Sequence, residues 1–174
     1  MAVTSYAGRT PVVGEGAYVH PSADVFGDVS LGRGCWVGPG ARVRGDYGTI
    51  VVGDFGALED NCVLHARPGE TCRLGDWVTV GHGAVVHNVT LIDDYAVVGM
   101  GAVVSDWAEV GEWAVVGEGA VVPQRAVVPA GRIAVGVPAR LLERPIDEEH
   151  RAAWRAFKQR YVDLARQYPG ALGR

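Results

Sequence analysis

A six-residue period runs through the sequence and strongly limits the folds open to it. From Leu74 onward the frame holds without slippage: LGDWVT, VGHGAV, VHNVTL, IDDYAV, VGMGAV, VSDWAE, VGEWAV, VGEGAV, VPQRAV and VPAGRI. The first position is always Leu, Ile or Val, and the fifth is nearly always a small residue. A period of six suits neither a helix nor a simple alternating strand. It fits a short strand followed by a tight corner, so the pattern predicts a solenoid.

The same frame extends toward the N-terminus as far as Val19. It is interrupted twice, by three extra residues between Val43 and Val52 and by four between Leu64 and Leu74. Three hexads make one triangular coil of 18 residues, so the 18 hexads predict about six coils of an all-β, parallel β-helix. A β-sandwich is the alternative, but its strands have no reason to keep a six-residue frame over so many units.

The chain divides into residues 1–144, which carry the repeat, and residues 145–174, which do not. In the second part Asp147 follows Pro145 and is suited to cap a helix reaching Tyr168. Apolar side chains recur there at spacings of three and four: Trp154, Phe157, Tyr161, Leu164 and Tyr168. This spacing predicts an amphipathic C-terminal helix packed against the outside of the β-helix.

Composition excludes several functional classes. The formal charge is −4 and no basic patch is evident, which argues against nucleic acid as a partner. No apolar run approaches the roughly 18 residues that span a bilayer, and the N-terminus lacks the pattern of a signal peptide. We therefore expect a soluble, cytoplasmic protein with no membrane partner. The three cysteines include no CxxC pair, so neither a disulfide framework nor a zinc–thiolate site is expected.

The repeat frame sorts three histidines into two groups. His65 and His87 are both second residues of their hexads and lie three hexads, or one coil, apart. They should therefore stack on one face about 4.8 Å apart, provided that the insertion after Leu64 bulges outward. Arg44 belongs to the same column, one coil earlier. His82 falls one face away, on the face that carries Glu59.

Two stacked imidazoles are half of a zinc site, because catalytic zinc commonly takes three protein ligands and one water. A neighbouring chain that presents the His82 face could supply the third nitrogen. Three chains around a three-fold axis would close this arrangement into a ring. The pattern thus predicts a homotrimer with metal sites between subunits, formed by His65, His87 and His82. The metal is expected to be Zn²⁺, with Fe²⁺ or Co²⁺ also suited to imidazole.

Four segments resemble the gamma-class carbonic anhydrases and their relatives from phenylacetate-degradation and carnitine operons. They are VRGD at 43–46, DNCVLH at 60–65, VTVGHGAVVH at 78–87 and VGMGAVV at 98–104. The resemblance covers nearly the whole chain and implies a left-handed β-helix. It also implies that His65 and His87 bind zinc from one subunit and that His82 binds it from the next.

The resemblance further implies roles for four other residues. Arg44 and Asp46 match an ion pair of the trimer interface. Glu59 stands where many members have a glutamine beside the metal-bound water, so a carboxylate there could act as general base. Glu70, in the loop 66–71, is a candidate for the proton shuttle. The implied reaction is the reversible hydration of CO₂ to bicarbonate by metal-bound hydroxide, the activity of a carbonate dehydratase.

Two other functions stay open at this point. The same metal site could hydrolyse an acyl-CoA thioester or serve an acyltransferase-like reaction, given room for the larger substrate. Alternatively, the chain could be a non-catalytic trimer that binds metal.

Overall fold

The computed structural model describes residues 2–171, so the last three residues of the predicted segment 145–174 lie outside it. Within this range the chain forms twenty strands, most of them two or three residues long, followed by one helix. The strands are β1 Val3–Thr4, β2 Val12–Val13, β3 Tyr18–Val19, β4 Asp24–Leu31, β5 Trp36–Val37, β6 Arg42–Val52, β7 Ala57–Leu58, β8 Val63–His65, β9 Thr71–Leu74, β10 Thr79–Val80, β11 Val85–His87, β12 Leu91–Ile92, β13 Val97–Val98, β14 Val103–Val104, β15 Glu109–Val110, β16 Val115–Val116, β17 Val121–Val122, β18 Val127–Val128, β19 Ile133–Val135 and β20 Arg140–Leu141. The helix is α1, Glu148–Ala171.

The strands stack into three faces of a parallel β-solenoid. Face 1 consists of β3, β5, β7, β10, β13, β16 and β19, with β20 added antiparallel at its end. Face 2 contains β1, β8, β11, β14 and β17, and face 3 contains β2, β9, β12, β15 and β18. The long strands β4 and β6 run through both of these faces and join them at the corner. The predicted all-β parallel architecture is confirmed.

The solenoid has about seven turns, one more than the repeat count predicted. The additional rungs are β1 and β2 at the N-terminal end and β19 at the C-terminal end. The counted frame began at Val19 and ended at Ile133, so these rungs were not included. The two interruptions of the frame do not skip a face, because Val52 and Leu74 are in register and Leu74 pairs with Ile92.

The interior is filled by the first and fifth residues of the hexads. Val80, Val86, Ile92, Val98 and Val104 have no exposed surface, and the small residues Ala84, Ala96, Ala102, Ala108, Ala114 and Ala120 are equally buried. Burying one valine side chain contributes about 1.5–3 kcal/mol to folding stability. The repeat positions therefore supply most of the stabilising hydrophobic core. The hexad VHNVTL departs from the frame, since Val89 is buried there while Thr90 is exposed.

Large aromatic residues occupy several corners, although glycine, Asp and Asn are the usual corner residues. Phe55, Trp77, Tyr95 and Trp113 all have φ near +59°, a region that bulky side chains rarely adopt. Their rings stack along the solenoid, with centroids 4.5, 6.0 and 4.4 Å apart in succession. The stacking of these four rings offsets the cost of their positive φ angles, because the ring at each corner packs on the ring at the next corner.

Helix α1 packs on the outside, as predicted, and contacts β3 and β5 of face 1. The predicted cap is confirmed, because the His150 N–H donates to Asp147 Oδ1 at 2.9 Å. The helix extends to Ala171, three residues past the predicted end. No helix in residues 2–171 is long and apolar enough to cross a bilayer.

The buried stripe of α1 differs from the aromatic stripe that its spacing predicted. The most buried residues are Lys158, Val162 and Ala165, whereas Phe157 is 39% exposed. Lys158 can be buried because its Nζ donates to Trp77 O at 2.5 Å and to Thr79 Oγ1 at 2.8 Å. The aromatic side chains lie beside this stripe, with the Tyr161 ring 5.3 Å from that of Trp36.

Candidate functional site

A column of polar side chains follows face 2 across three neighbouring strands. Strands β6, β8 and β11 are in parallel register, which pairs Arg44 with His65 and His65 with His87. The two imidazole centroids are 5.3 Å apart. The predicted column is confirmed, because the three-hexad separation returns the chain to the same position one coil later.

His87 is held by a carboxylate from the next coil. Its Nδ1 lies 2.9 Å from Asp106 Oδ1. Arg67 in turn donates from Nε and Nη2 to the two oxygens of Asp106, at 2.7 and 2.9 Å. The Arg67 hydrogen bond, together with that of His87, lowers the pKa of Asp106 to about 2, although burial opposes the shift. The site therefore contains a fixed Arg67–Asp106–His87 chain.

The sequence frame did not identify Asp106 as part of this site. It stands 19 residues after His87, one position beyond a full coil, and Arg67 is 39 residues before Asp106. The sequence signal that could have identified Asp106 is an acidic residue one coil after His87, a candidate metal ligand.

His65 makes its contacts through the other ring nitrogen. Its Nε2 lies 2.9 Å from Asp46 Oδ1 and 3.1 Å from Arg44 Nη2. Arg44 and Asp46 also form an ion pair within this chain, with 3.5 Å between Nε and Oδ2. Burial acts to raise the pKa of Asp46, but the His65 hydrogen bond and the Arg44 charge hold it below its usual value.

His82 lies at the corner between faces 1 and 2, beside Glu59. Glu59 Oε2 accepts a hydrogen bond from the His82 backbone N–H at 3.1 Å and lies 3.2 Å from His82 Nε2. Glu59 Oε1 accepts from Tyr161 Oη of α1. The carboxylate is only 5% exposed, whereas the His82 side chain is 47% exposed. Glu59 and His82 are thus neighbours, as the frame predicted, and no contact in the described chain joins His82 to His65 or His87.

Glu70 is held within the loop that follows β8. Its Oε2 accepts hydrogen bonds from Asn88 Nδ2 at 2.8 Å and from Trp107 Nε1 at 2.6 Å. Asn88 also accepts from the Arg67 backbone N–H at 2.9 Å. These bonds attach the loop to the coil that carries His87. The role of Glu70 as a proton shuttle stays a prediction.

The donor chemistry of the His65–His87 pair suits a transition metal. His87 matches the usual pattern of a metal-bound histidine, because one of its ring nitrogens contacts a carboxylate and the other is left for a metal. Within residues 2–171, no group of three or more His, Cys, Asp or Glu side chains is placed to hold a metal. A site with three protein ligands would need one from outside this cluster. Binding through His65 Nε2 would also require that atom to give up its Asp46 contact.

A groove of about 170 Å³ lies between face 1 and α1, next to His82. Its polar wall includes Glu59, Tyr161 and Glu118. Its apolar wall includes Val97, Val115, Met100, Trp154 and Phe157. Large apolar side chains reach its surface, since Met100 is 51% exposed.

The solenoid of six-residue repeats defines the class: this is a hexapeptide-repeat β-solenoid with paired histidines on one face. Comparison with solved structures adds that the chain belongs to the hexapeptide transferase family. It is 30% identical to a member of that family from Anaplasma phagocytophilum, with a TM-score of 0.90 over 96% of this chain and 98% of that one. It is equally similar to a Bacillus cereus protein provisionally described as an acetyltransferase, with 30% identity, a TM-score of 0.93 and 97% of each chain covered.

Curated relatives match a shorter part of the chain. The carnitine operon protein CaiE of a Proteus species is 40% identical over 88 residues, which are 51% of this chain and 45% of that protein. CaiE of Escherichia coli O157:H7 is 37% identical over 91 residues. The match thus spans about half the length of these relatives. No family model matches the chain.

Proposed function

We propose that the protein is a zinc-dependent carbonic anhydrase of the gamma class that hydrates CO₂ at the subunit interfaces of a homotrimer. The observation that carries the proposal is the pairing of His65 and His87 on adjacent coils, with His82 facing a different side of the chain. The four sequence segments that resemble the gamma class support it. A homotrimer would bring His82 of one chain to the histidine pair of another.

The roles of the side chains follow from their contacts. His65 and His87 would hold the zinc ion from one subunit, and His82 would hold it from the next. Zinc in such a site supplies a water molecule whose pKa falls to about 7. Glu59, which is fixed by Tyr161 and by the His82 N–H, would orient a polar reactant or accept its proton. Arg44 and Asp46 would hold His65, and Glu70 would pass protons toward solvent.

A second candidate function is the metal-dependent hydrolysis of an acyl-CoA thioester, or a related acyl transfer. The observation that favours it is the groove beside His82, whose apolar wall could receive an acyl chain. Its volume of about 170 Å³ is several times the roughly 30 Å³ that one water occupies in the liquid. CO₂ alone does not need so much space.

One set of assays separates these functions. We expect purified protein to be trimeric by light scattering, to contain about one metal per subunit, and to hydrate CO₂ in stopped-flow assays. His65→Ala, His82→Ala and His87→Ala should each lose metal and activity. His20→Ala is the matched control, because His20 contacts Ser22 outside the column. Thioesterase activity without CO₂ hydration would favour the second function, and absence of bound metal would contradict both.

A further inference from the structure

The carboxylate of Asp106 dictates which nitrogen of His87 carries the proton in the neutral ring. A carboxylate can only accept hydrogen bonds, and Asp106 Oδ1 lies 2.9 Å from His87 Nδ1. The short contact is therefore satisfied only when Nδ1 is the donor. The lone pair of the neutral ring is then on Nε2, for which no hydrogen-bond partner is found in residues 2–171.

We propose that Asp106 is a positioning residue that holds His87 as the Nδ1–H tautomer and so keeps the lone pair of the neutral ring on Nε2. The use of that lone pair as a metal ligand rests on the proposed function, whereas the tautomer itself does not. Asp106 would act only through His87.

Arg67 makes this arrangement rigid. It binds both oxygens of Asp106 in a fork, and its guanidinium also lies 5.3 Å from the Trp107 ring centroid. The Asp106 side chain is 16% exposed, so water competes weakly for its oxygens. Because Arg67 belongs to the loop after β8, that loop determines how the ligand of the neighbouring coil is oriented.

His20 provides an opposite case in the same molecule. Its Nδ1 accepts a hydrogen bond from the Ser22 backbone N–H at 3.2 Å. A ring nitrogen that accepts cannot carry the proton, so neutral His20 should be the Nε2–H tautomer. The two histidines should therefore give opposite patterns in one spectrum.

The test is ¹⁵N NMR of the imidazoles in metal-free protein, recorded at a pH where the signals no longer change. Single His→Gln variants assign the peaks. We expect His87 as Nδ1–H and His20 as Nε2–H in the wild type. In Asp106→Ala, His87 should lose its Nδ1–H preference while His20 is unchanged. Asp54→Asn is the control, because Asp54 Oδ2 accepts hydrogen bonds from both Nε and Nη2 of Arg33, and no histidine in the described residues contacts Asp54.

Zinc affinity, measured by competition with a chelator, provides a second readout. Removing a carboxylate that orients a ligating histidine typically lowers metal affinity 10- to 100-fold, which we expect for Asp106→Ala but not for Asp54→Asn. If Asp106→Ala does not fold, Arg67→Ala leaves the carboxylate in place and should give a smaller loss of affinity. A wild-type His87 with Nε2–H, or an unchanged tautomer in Asp106→Ala, would overturn the proposal. A wild type that binds no zinc would instead contradict the proposed function.

Discussion

At the scale of a single residue, Glu59 joins the solenoid to the helix. It accepts hydrogen bonds from the His82 backbone N–H on the solenoid and from Tyr161 Oη on the helix, and it is almost completely buried. A glutamine at this position would have one acceptor oxygen for two donors and would place an N–H₂ group against the other donor.

We expect Glu59→Gln to lower the free energy of unfolding by about 1–3 kcal/mol, because one buried donor is left without an acceptor. Tyr161→Phe removes one of these donors, so the two substitutions should be coupled in a double-mutant cycle. Urea unfolding of both single variants and of the double variant measures the coupling. Strictly additive effects would contradict the expected coupling and would show that Glu59→Gln leaves the hydrogen bond from Tyr161 unchanged.

The residues of this region could be predicted from the sequence only in part. The repeat frame predicted that His65 stacks on His87 and that Glu59 lies by His82, because a regular coil returns each position to the same place. It did not predict Asp106 or Tyr161 as their partners. Asp106 contacts His87 of the preceding coil from a different hexad position, and Tyr161 lies on a helix outside the frame.

At the scale of elements, the helix shows why spacing alone did not give its buried face. Lys158 is the single lysine of the chain and is the first residue of the buried stripe. A spacing argument places Trp, Phe and Tyr inward and lysine outward. The acceptors Trp77 O and Thr79 Oγ1, which allow this ammonium to be buried, belong to the solenoid and are far away in sequence.

Lys158 should make the stability of the protein depend on pH. Burial lowers the pKa of Lys158 to about 7, although the charge of Glu59 opposes the shift. Between pH 7 and 10 the unfolded chain then binds more protons than the folded one, so the free energy of unfolding should rise with pH. The slope from this group is at most about 1.4 kcal/mol per pH unit.

Denaturant unfolding of the wild type and of Lys158→Met across this range checks the prediction. The variant should lose the slope, since it has no titrating amine at this position. Arg160→Met, an exposed cation on the same helix, is the matched control and should keep it. Equal slopes in the wild type and Lys158→Met would show that Lys158 does not titrate in this window.

At the scale of the whole molecule, the arrangement of the histidines predicts that each metal site needs two chains. His65 and His87 stand in one column, and His82 stands on another side of the same chain, with no contact between them in the described residues. A period of six gives this division directly, because residues five positions apart fall on different sides of a triangular coil. In the proposed trimer each metal site is therefore formed by two chains. Trimers assembled from two different variants can test this arrangement.

His82→Ala and His87→Ala chains should each bind little metal alone, but a mixture refolded together should recover part of it. A site is complete only where a His82→Ala chain, which keeps the histidine pair, meets a His87→Ala chain, which keeps His82. Random mixing of equal amounts makes about one interface in four complete, so metal content and activity should reach about a quarter of wild type. A mixture of His65→Ala and His87→Ala is the control and should recover nothing, because every chain lacks one member of the pair. Recovery in that control, or none in the first mixture, would mean that the sites are not divided between chains as proposed.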